Sequence, residues 1–150
     1  MSGINITRSG ISVYEVEVNL GHYSSLRTNE MDGFVDRLLK VLPSLRRHEC
    51  YAGESGGFVQ ELRKGTDLAH VMEHVILELL KLTAGKGRRF TGWTRKRTRT
   101  HVIHFQVPDG GMGRCAAQAA ARLIEDIIEG KRISKRAILS GIRQSKEVDP

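Results

Sequence analysis

The chain contains little that would tie it together covalently or anchor it in a membrane. Only two cysteines, Cys50 and Cys115, occur among its 150 residues, and two are too few for a disulfide framework. No apolar run approaches the roughly 20 residues that a membrane-spanning helix requires. The N-terminus lacks the basic and apolar regions of a signal peptide. We therefore expect a cytoplasmic protein that does not enter a membrane.

Acidic residues are absent from one segment, residues 86–99, although the chain as a whole carries a formal charge of +7. The segment holds seven cations: Lys86, Arg88, Arg89, Arg95, Lys96, Arg97 and Arg99. The rest of the chain is therefore close to neutral. Phe90 and Trp93 lie between these cations, a pattern typical of surfaces that stack bases and bind phosphates. Nucleic-acid binding through residues 86–99 is one interpretation, and a solvated basic loop is the other.

The hydrophobic patterning predicts an α+β fold, a small sheet packed against several helices in a single domain. We expect one domain over residues 1–150, with its core at about 11–130. Alternating residues predict strands, and apolar residues at helical spacing predict helices. The predicted strands are 11–19 and 100–107, and the predicted helices are 31–41, 58–64, 67–83, 113–128 and 134–144. Further strands could lie in residues 4–8 or 89–93, and residues 85–98 are otherwise expected to form a hairpin-like or mobile loop.

The central predicted helix carries the most specific motif of the chain, His70-Val71-Met72-Glu73-His74. Residues four apart are separated by about one helical turn, so His70 and His74 share a face and can bind one metal ion. This order, H-x-x-E-H, is the inverted zincin pattern. It predicts a Zn²⁺ site in which Glu73 acts as general base in metal-assisted hydrolysis. Glu78 lies on the same polar side of the helix, which we expect to face solvent.

A catalytic zinc requires a third protein ligand and an open position for water. His48 is the first choice, because the loop that carries it could fold over the central helix at Gly56 and Gly57. Cys50 is an alternative ligand. Glu78 could bind the metal itself or accept a hydrogen bond from a residue that binds the metal. Arginines that grip substrate carboxylates are the predicted substrate-binding residues: Arg63, Arg88, Arg89 and Arg95.

The same segments resemble a known family. The motifs are Leu42-Pro43-Ser44-Leu45 followed by His48 and Cys50, Gly56-Gly57-Phe58, Leu62-Arg63-Lys64-Gly65-Thr66, and the run from His70 to Leu79. In order and spacing they resemble the N-terminal domain of cyanophycin synthetase, from about Val13 through Gly130. That domain precedes the modules that build the polymer, an aspartate backbone with arginine on its side chains.

The resemblance implies a domain that binds this polymer. In some members it also looks like a zinc metallopeptidase, and the positions that match its site are His48, His70, Glu73 and His74. We therefore expect a zinc-dependent peptidase-like hydrolase acting on cyanophycin or a similar poly-amino-acid. The alternatives are a non-catalytic cyanophycin-binding module and a nucleic-acid-binding protein. The expected partners are the polymer and a possible separate synthetase. The sequence also allows a homo-oligomer.

Overall fold

A computed structural model describes residues 1, 3–10, 12–50, 53–85, 87–107 and 112–145. These residues form an α+β fold, as predicted. The strands are β1 (Gly3–Ser9), β2 (Val13–Asn19), β3 (Gly92–Lys96) and β4 (His101–Gln106). The helices are α1 (Phe34–Val41), α2 (Gly57–Lys64), α3 (Leu68–Ala84), α4 (Gly113–Ile128) and α5 (Lys135–Ser145), and Pro43–Arg47 forms a 3-10 turn.

The four strands form one antiparallel sheet in the order β1-β2-β4-β3. Its inner face follows from the alternation in β2, where Tyr14, Val16 and Val18 are buried while the glutamates between them are half-buried. Successive side chains of a strand point to opposite faces. Glu15 and Glu17 therefore lie on the other face, which we call the outer sheet face.

The inner face of the sheet is covered by two helices, α3 over β3 and β4, and α4 beside β1 and β2. The close approach of α4 depends on Gly113, since a Cβ atom there would lie 2.4 Å from the ring of Tyr14. Both α3, through Glu73 and Thr94, and α4, through Gly113 and Tyr14, lie on the inner face. No helix among the described residues is long and apolar enough to cross a membrane.

Within residues 85–98, expected to form a hairpin-like or mobile loop, Gly92–Lys96 is a strand that forms a hairpin with β4, so the mobile-loop alternative is wrong for these residues. Its basic side chains conceal the alternation, which is read from apolar residues. The further strand considered at residues 4–8 is β1, and helix α1 begins at Phe34 because Gly33 adopts a left-handed conformation with φ of 66°. Lys86 lies outside the described residues, and so do residues 108–111, where Pro108 and two glycines predict a turn.

Candidate functional site

Helix α3 is buried on nearly every side. Asp67 caps its N-terminus by accepting a hydrogen bond of 2.9 Å from the His70 N–H. The four polar residues predicted to face solvent are 0–8% exposed: His70, Glu73, His74 and Glu78. The prediction of a solvent-facing polar side is therefore wrong. Helix α4, the sheet, α5 and the 3-10 turn pack around α3, and Phe58 of α2 contacts His70 and His74. The polar groups of α3 must therefore find partners inside the protein.

Three metal-ligating side chains converge on one side of α3. Cys50, His70 and His74 each offer a donor atom, and these atoms lie within 4.8 Å of one another. The Cys50 Sγ atom is 3.4 Å from His70 Nε2, and the Thr66 hydroxyl is 2.9 Å from His70 Nδ1. We call Cys50, His70 and His74 the Cys-His-His cluster.

Cys50 reaches the cluster because its loop approaches the start of α2 closely. A Cβ atom on Gly57 would lie 3.2 Å from the Cys50 backbone nitrogen, so glycine leaves room for the loop. The Phe58 N–H donates a hydrogen bond of 3.2 Å to the His48 carbonyl. The ring of Phe58 stacks on His74 at 3.8 Å between centroids. The glycine pair and Phe58 thus position both sides of the cluster.

His48, the predicted third ligand, lies beside the cluster. Its Nδ1 atom is 3.0 Å from His74 Nδ1, and its Nε2 atom is 2.7 Å from a carboxylate oxygen of Glu78. The Ser44 hydroxyl donates to the other Glu78 oxygen. Burial pushes the pKa of Glu78 upward, but the hydrogen bonds from His48 and Ser44 prevail and lower it. Glu78 therefore remains a carboxylate that orients His48.

Both histidines of the cluster are held neutral. Burial, reinforced by the neighbouring His70 and His48, lowers the pKa of His74 to about 2. Burial also lowers the pKa of His70, although Asp67 and Glu61 oppose it. A neutral imidazole is the form that binds a metal ion, so the cluster is prepared for a cation.

Glu73, the predicted general base, lies toward the sheet and is not part of the Cys-His-His cluster. Its carboxylate accepts a hydrogen bond of 2.5 Å from the Thr94 hydroxyl of β3. Burial raises the pKa of Glu73, and the bond from Thr94 partly opposes this. The structure therefore shows Glu73 linking α3 to β3.

The four arginines predicted to bind substrate lie on different elements. Arg63 belongs to α2 and pairs with the Asp36 carboxylate at 2.7 Å. Arg88 and Arg89 are exposed in the segment that precedes β3. Arg95 is on β3, where its guanidinium carbon lies 5.9 Å from the ring centroid of Trp93. Of the four, Arg95 is the one that stands on the outer sheet face.

Sequence reasoning missed this outer sheet face as a site. Trp93 is 52% exposed and stacks on His104 of β4, with 3.9 Å between the ring centroids and 14° between the planes. His104 lies opposite Glu15 in the sheet, at 3.6 Å between Nε2 and a carboxylate oxygen. An exposed aromatic ring thus lies beside an acidic side chain.

Charges of both signs continue along the outer sheet face. The Arg97 guanidinium lies 4.0 Å from the Glu15 carboxylate and 3.9 Å from that of Glu17. The Thr100 hydroxyl donates a hydrogen bond of 2.8 Å to Glu17. Arg97 is 45% exposed, and the two glutamates are 37–38% exposed, so all three are open to a ligand. The alternation in β2, which places Glu15 and Glu17 on one face, is the sequence signal that could have revealed this surface.

Comparison with known proteins gives the family. A family model for the cyanophycin synthase-like N-terminal domain matches residues 15–129, and the chain belongs to this family. Among curated proteins, the cyanophycin synthetase of Crocosphaera subtropica is 40% identical over 107 residues, which is 68% of this chain and 12% of that protein. The cyanophycin synthetase of Synechocystis sp. is 38% identical over 107 residues, again 68% of this chain and 12% of that protein. That of Trichormus variabilis is 36% identical over 81% of this chain and 13% of that protein.

The prediction of a zinc-dependent peptidase-like hydrolase is wrong. The relatives are named as synthetases, which build a polymer rather than cleave one, and the match is to their N-terminal domain. The chain spans about an eighth of the length of these relatives. The resemblance to the cyanophycin synthetase N-terminal domain is confirmed.

Proposed function

We propose that this chain is a non-catalytic cyanophycin-binding module that holds the polymer on its outer sheet face. The proposal rests on one observation, the exposed Trp93 flanked by cations and carboxylates on the face of the sheet opposite α3 and α4. The separate synthetase and the homo-oligomer stay predictions. A synthetase that extends the polymer is the partner that this role requires.

The chemistry of the outer sheet face complements that of the polymer. Each unit of an aspartate backbone that carries arginine on its side chains presents one guanidinium and one carboxylate. Glu15 and Glu17 offer carboxylates to the guanidinium groups, and the exposed ring of Trp93 offers a cation–π surface. Arg95 and Arg97 offer forked donors to the polymer carboxylates.

The same charges disfavour nucleic acid on this face. A phosphate backbone repeats one sign of charge, and affinity comes from neutralising it with cations. Glu15 and Glu17 would repel that backbone beside the cations of β3. A polymer with both signs of charge finds partners for both. The outer sheet face therefore favours cyanophycin over the nucleic-acid alternative.

The test is binding of soluble cyanophycin to the purified chain, measured by calorimetry. Trp93→Ala should weaken binding roughly tenfold, the loss of about 1.4 kcal/mol that a desolvated cation–π contact can supply. Arg132→Ala is the matched control, because Arg132 is an exposed cation outside the sheet. Equal affinities of the two variants would refute the outer sheet face as the binding surface.

We also propose that the Cys-His-His cluster binds Zn²⁺ in a structural role. A thiolate and two neutral imidazoles form a donor set that zinc prefers, and the shared proximity of the three donor atoms supports the fit. His48 could complete the set or orient His74. The measurement is the metal content of untagged protein, with the melting temperature before and after chelation. Cys50→Ser should remove both the metal and the chelator-induced shift.

A further inference from the structure

Strand β3 is an edge of the sheet, and half of its backbone faces away from β4. The Arg97 N–H donates to the Thr100 carbonyl at 2.7 Å, and the Gln106 N–H donates to the Thr91 carbonyl at 3.2 Å. In an antiparallel pair the bonded positions alternate along the strand. The backbone groups of residues 91, 93, 95 and 97 therefore point toward β4, and those of residues 92, 94 and 96 point toward the free edge.

The free edge is available for pairing. No described residue makes a backbone hydrogen bond to the outward groups of Gly92, Thr94 or Lys96. Such a row of donors and acceptors is a template for another extended chain. On the inner side, Thr94 is fixed by its bond to Glu73. The edge is therefore held in an extended shape before any partner arrives.

We propose that the peptide backbone of the polymer pairs with this edge as a fifth strand beside β3. The inference rests on the proposed function and adds the mode of binding. Main-chain hydrogen bonds to residues 92, 94 and 96 supply affinity that does not depend on side chains. The side chains of the polymer then extend on both faces of the sheet.

The repeat of the polymer matches the repeat of the strand. Alternate residues of a strand are roughly 6.8 Å apart on one face, and Trp93, Arg95 and Arg97 follow that spacing on the outer sheet face. Every second unit of the polymer would meet one of these side chains. Because all units of the polymer are alike, a slip by two residues restores the same contacts. Pairing therefore tolerates many registers, which suits a long repetitive ligand.

A second copy of this chain is a poor occupant of the edge. Pairing of β3 with itself would place side by side two strands that each carry Arg95, Lys96 and Arg97. Like charges directly opposite each other destabilise a strand pair, and edge lysines are a common device against self-association. The carboxylates of the polymer would instead be attracted to these cations.

The test compares Lys96→Pro with Lys96→Ala in the cyanophycin binding assay. Both variants remove the same charge, but proline also removes an N–H that points away from β4. Proline is tolerated at such edge positions, and melting curves of the two variants confirm that they fold alike. We expect Lys96→Pro to bind at least tenfold more weakly than Lys96→Ala. Equal affinities would overturn the strand-addition mode and leave polymer binding intact.

Amide hydrogen exchange of the unmodified chain gives an independent readout. Saturating polymer should slow exchange at Thr94 and Lys96 at least tenfold, while Trp93 and Arg95, already bonded toward β4, should change little. Bound polymer without protection at Thr94 and Lys96 would overturn the mode. A chain that does not bind cyanophycin at all would overturn both this mode and the proposed function, so the two failures differ.

Discussion

Acid should destabilise the protein through His74, whose buried ring is prevented from taking up a proton. The pKa of this ring is lowered from 6.5 to about 2, first by burial and then by His70 and His48. The unfolded chain therefore binds a proton below pH 6.5 that the folded protein does not bind. The free energy of unfolding must fall as the pH falls through this range.

The magnitude follows from the width of that range. Each pH unit below 6.5 costs about 1.4 kcal/mol for a group that stays neutral in the folded state. Between pH 6.5 and 5, His74 alone should remove about 2 kcal/mol of stability. Burial lowers the pKa of His70 and of His101 as well, which adds to this loss, whereas the raised pKa of Glu73 acts in the opposite direction. Glu78, with its pKa lowered below 4.5, keeps its contribution over this interval and loses it in stronger acid.

The assay is urea unfolding at pH 7, 6 and 5 in the presence of chelator, so that bound metal does not contribute. His74→Gln should lose about 2 kcal/mol less than the unmodified chain between pH 7 and pH 5. His22→Gln, which replaces an exposed histidine of a 3-10 turn, is the control and should keep the original pH dependence. If His74→Gln shows the same pH dependence as the unmodified chain, the neutral buried ring is refuted.

Three further substitutions test contacts in the interior of the protein, each by urea unfolding at pH 7. Glu78→Ala leaves an imidazole and a hydroxyl without their buried acceptor and should cost about 3 kcal/mol; a cost under about 1 kcal/mol would contradict the network. Thr94→Val removes the hydroxyl that bonds Glu73 and should cost about 1–3 kcal/mol, while Thr94→Ser should restore most of it. Gly113→Ala places a methyl group against the ring of Tyr14 and should cost about 1–3 kcal/mol, so an unchanged stability would contradict the close approach.

The elements that the sequence predicts well are those with one buried face and one exposed face. Strand β2 alternates between valines and glutamates, and α4 repeats its apolar residues at helical spacing, so both were predicted within a few residues. Strand β3 does not show this signal. Its inner residues Gly92 and Thr94 are small, and Arg95, Lys96 and Arg97 dominate the remainder, so its role as a strand depends on pairing with β4.

The site shows the same division. Spacing alone places His70 and His74 on one face of α3, and the structure agrees. Spacing does not reveal that Glu73 points toward β3. Three residues along a helix correspond to a rotation of about 60° from His70. This angle decides whether the Glu73 carboxylate faces the metal-ligating residues or the sheet. Cys50 depends on a loop approach that the missing Cβ of Gly57 permits, which is a tertiary effect.

Helix α3 connects the two regions proposed to have a function. His70 and His74 face the Cys-His-His cluster on one side, and Glu73 bonds Thr94 of the binding edge on the other. A zinc ion in the cluster would fix the rotation of α3, and the Glu73 carboxylate would then fix the position of β3. The metal would thus contribute to polymer binding by holding the edge strand in place, without taking part in chemistry. If this connection is correct, chelation should lower the polymer affinity of the unmodified chain. Chelation should leave the polymer affinity of Thr94→Val unchanged.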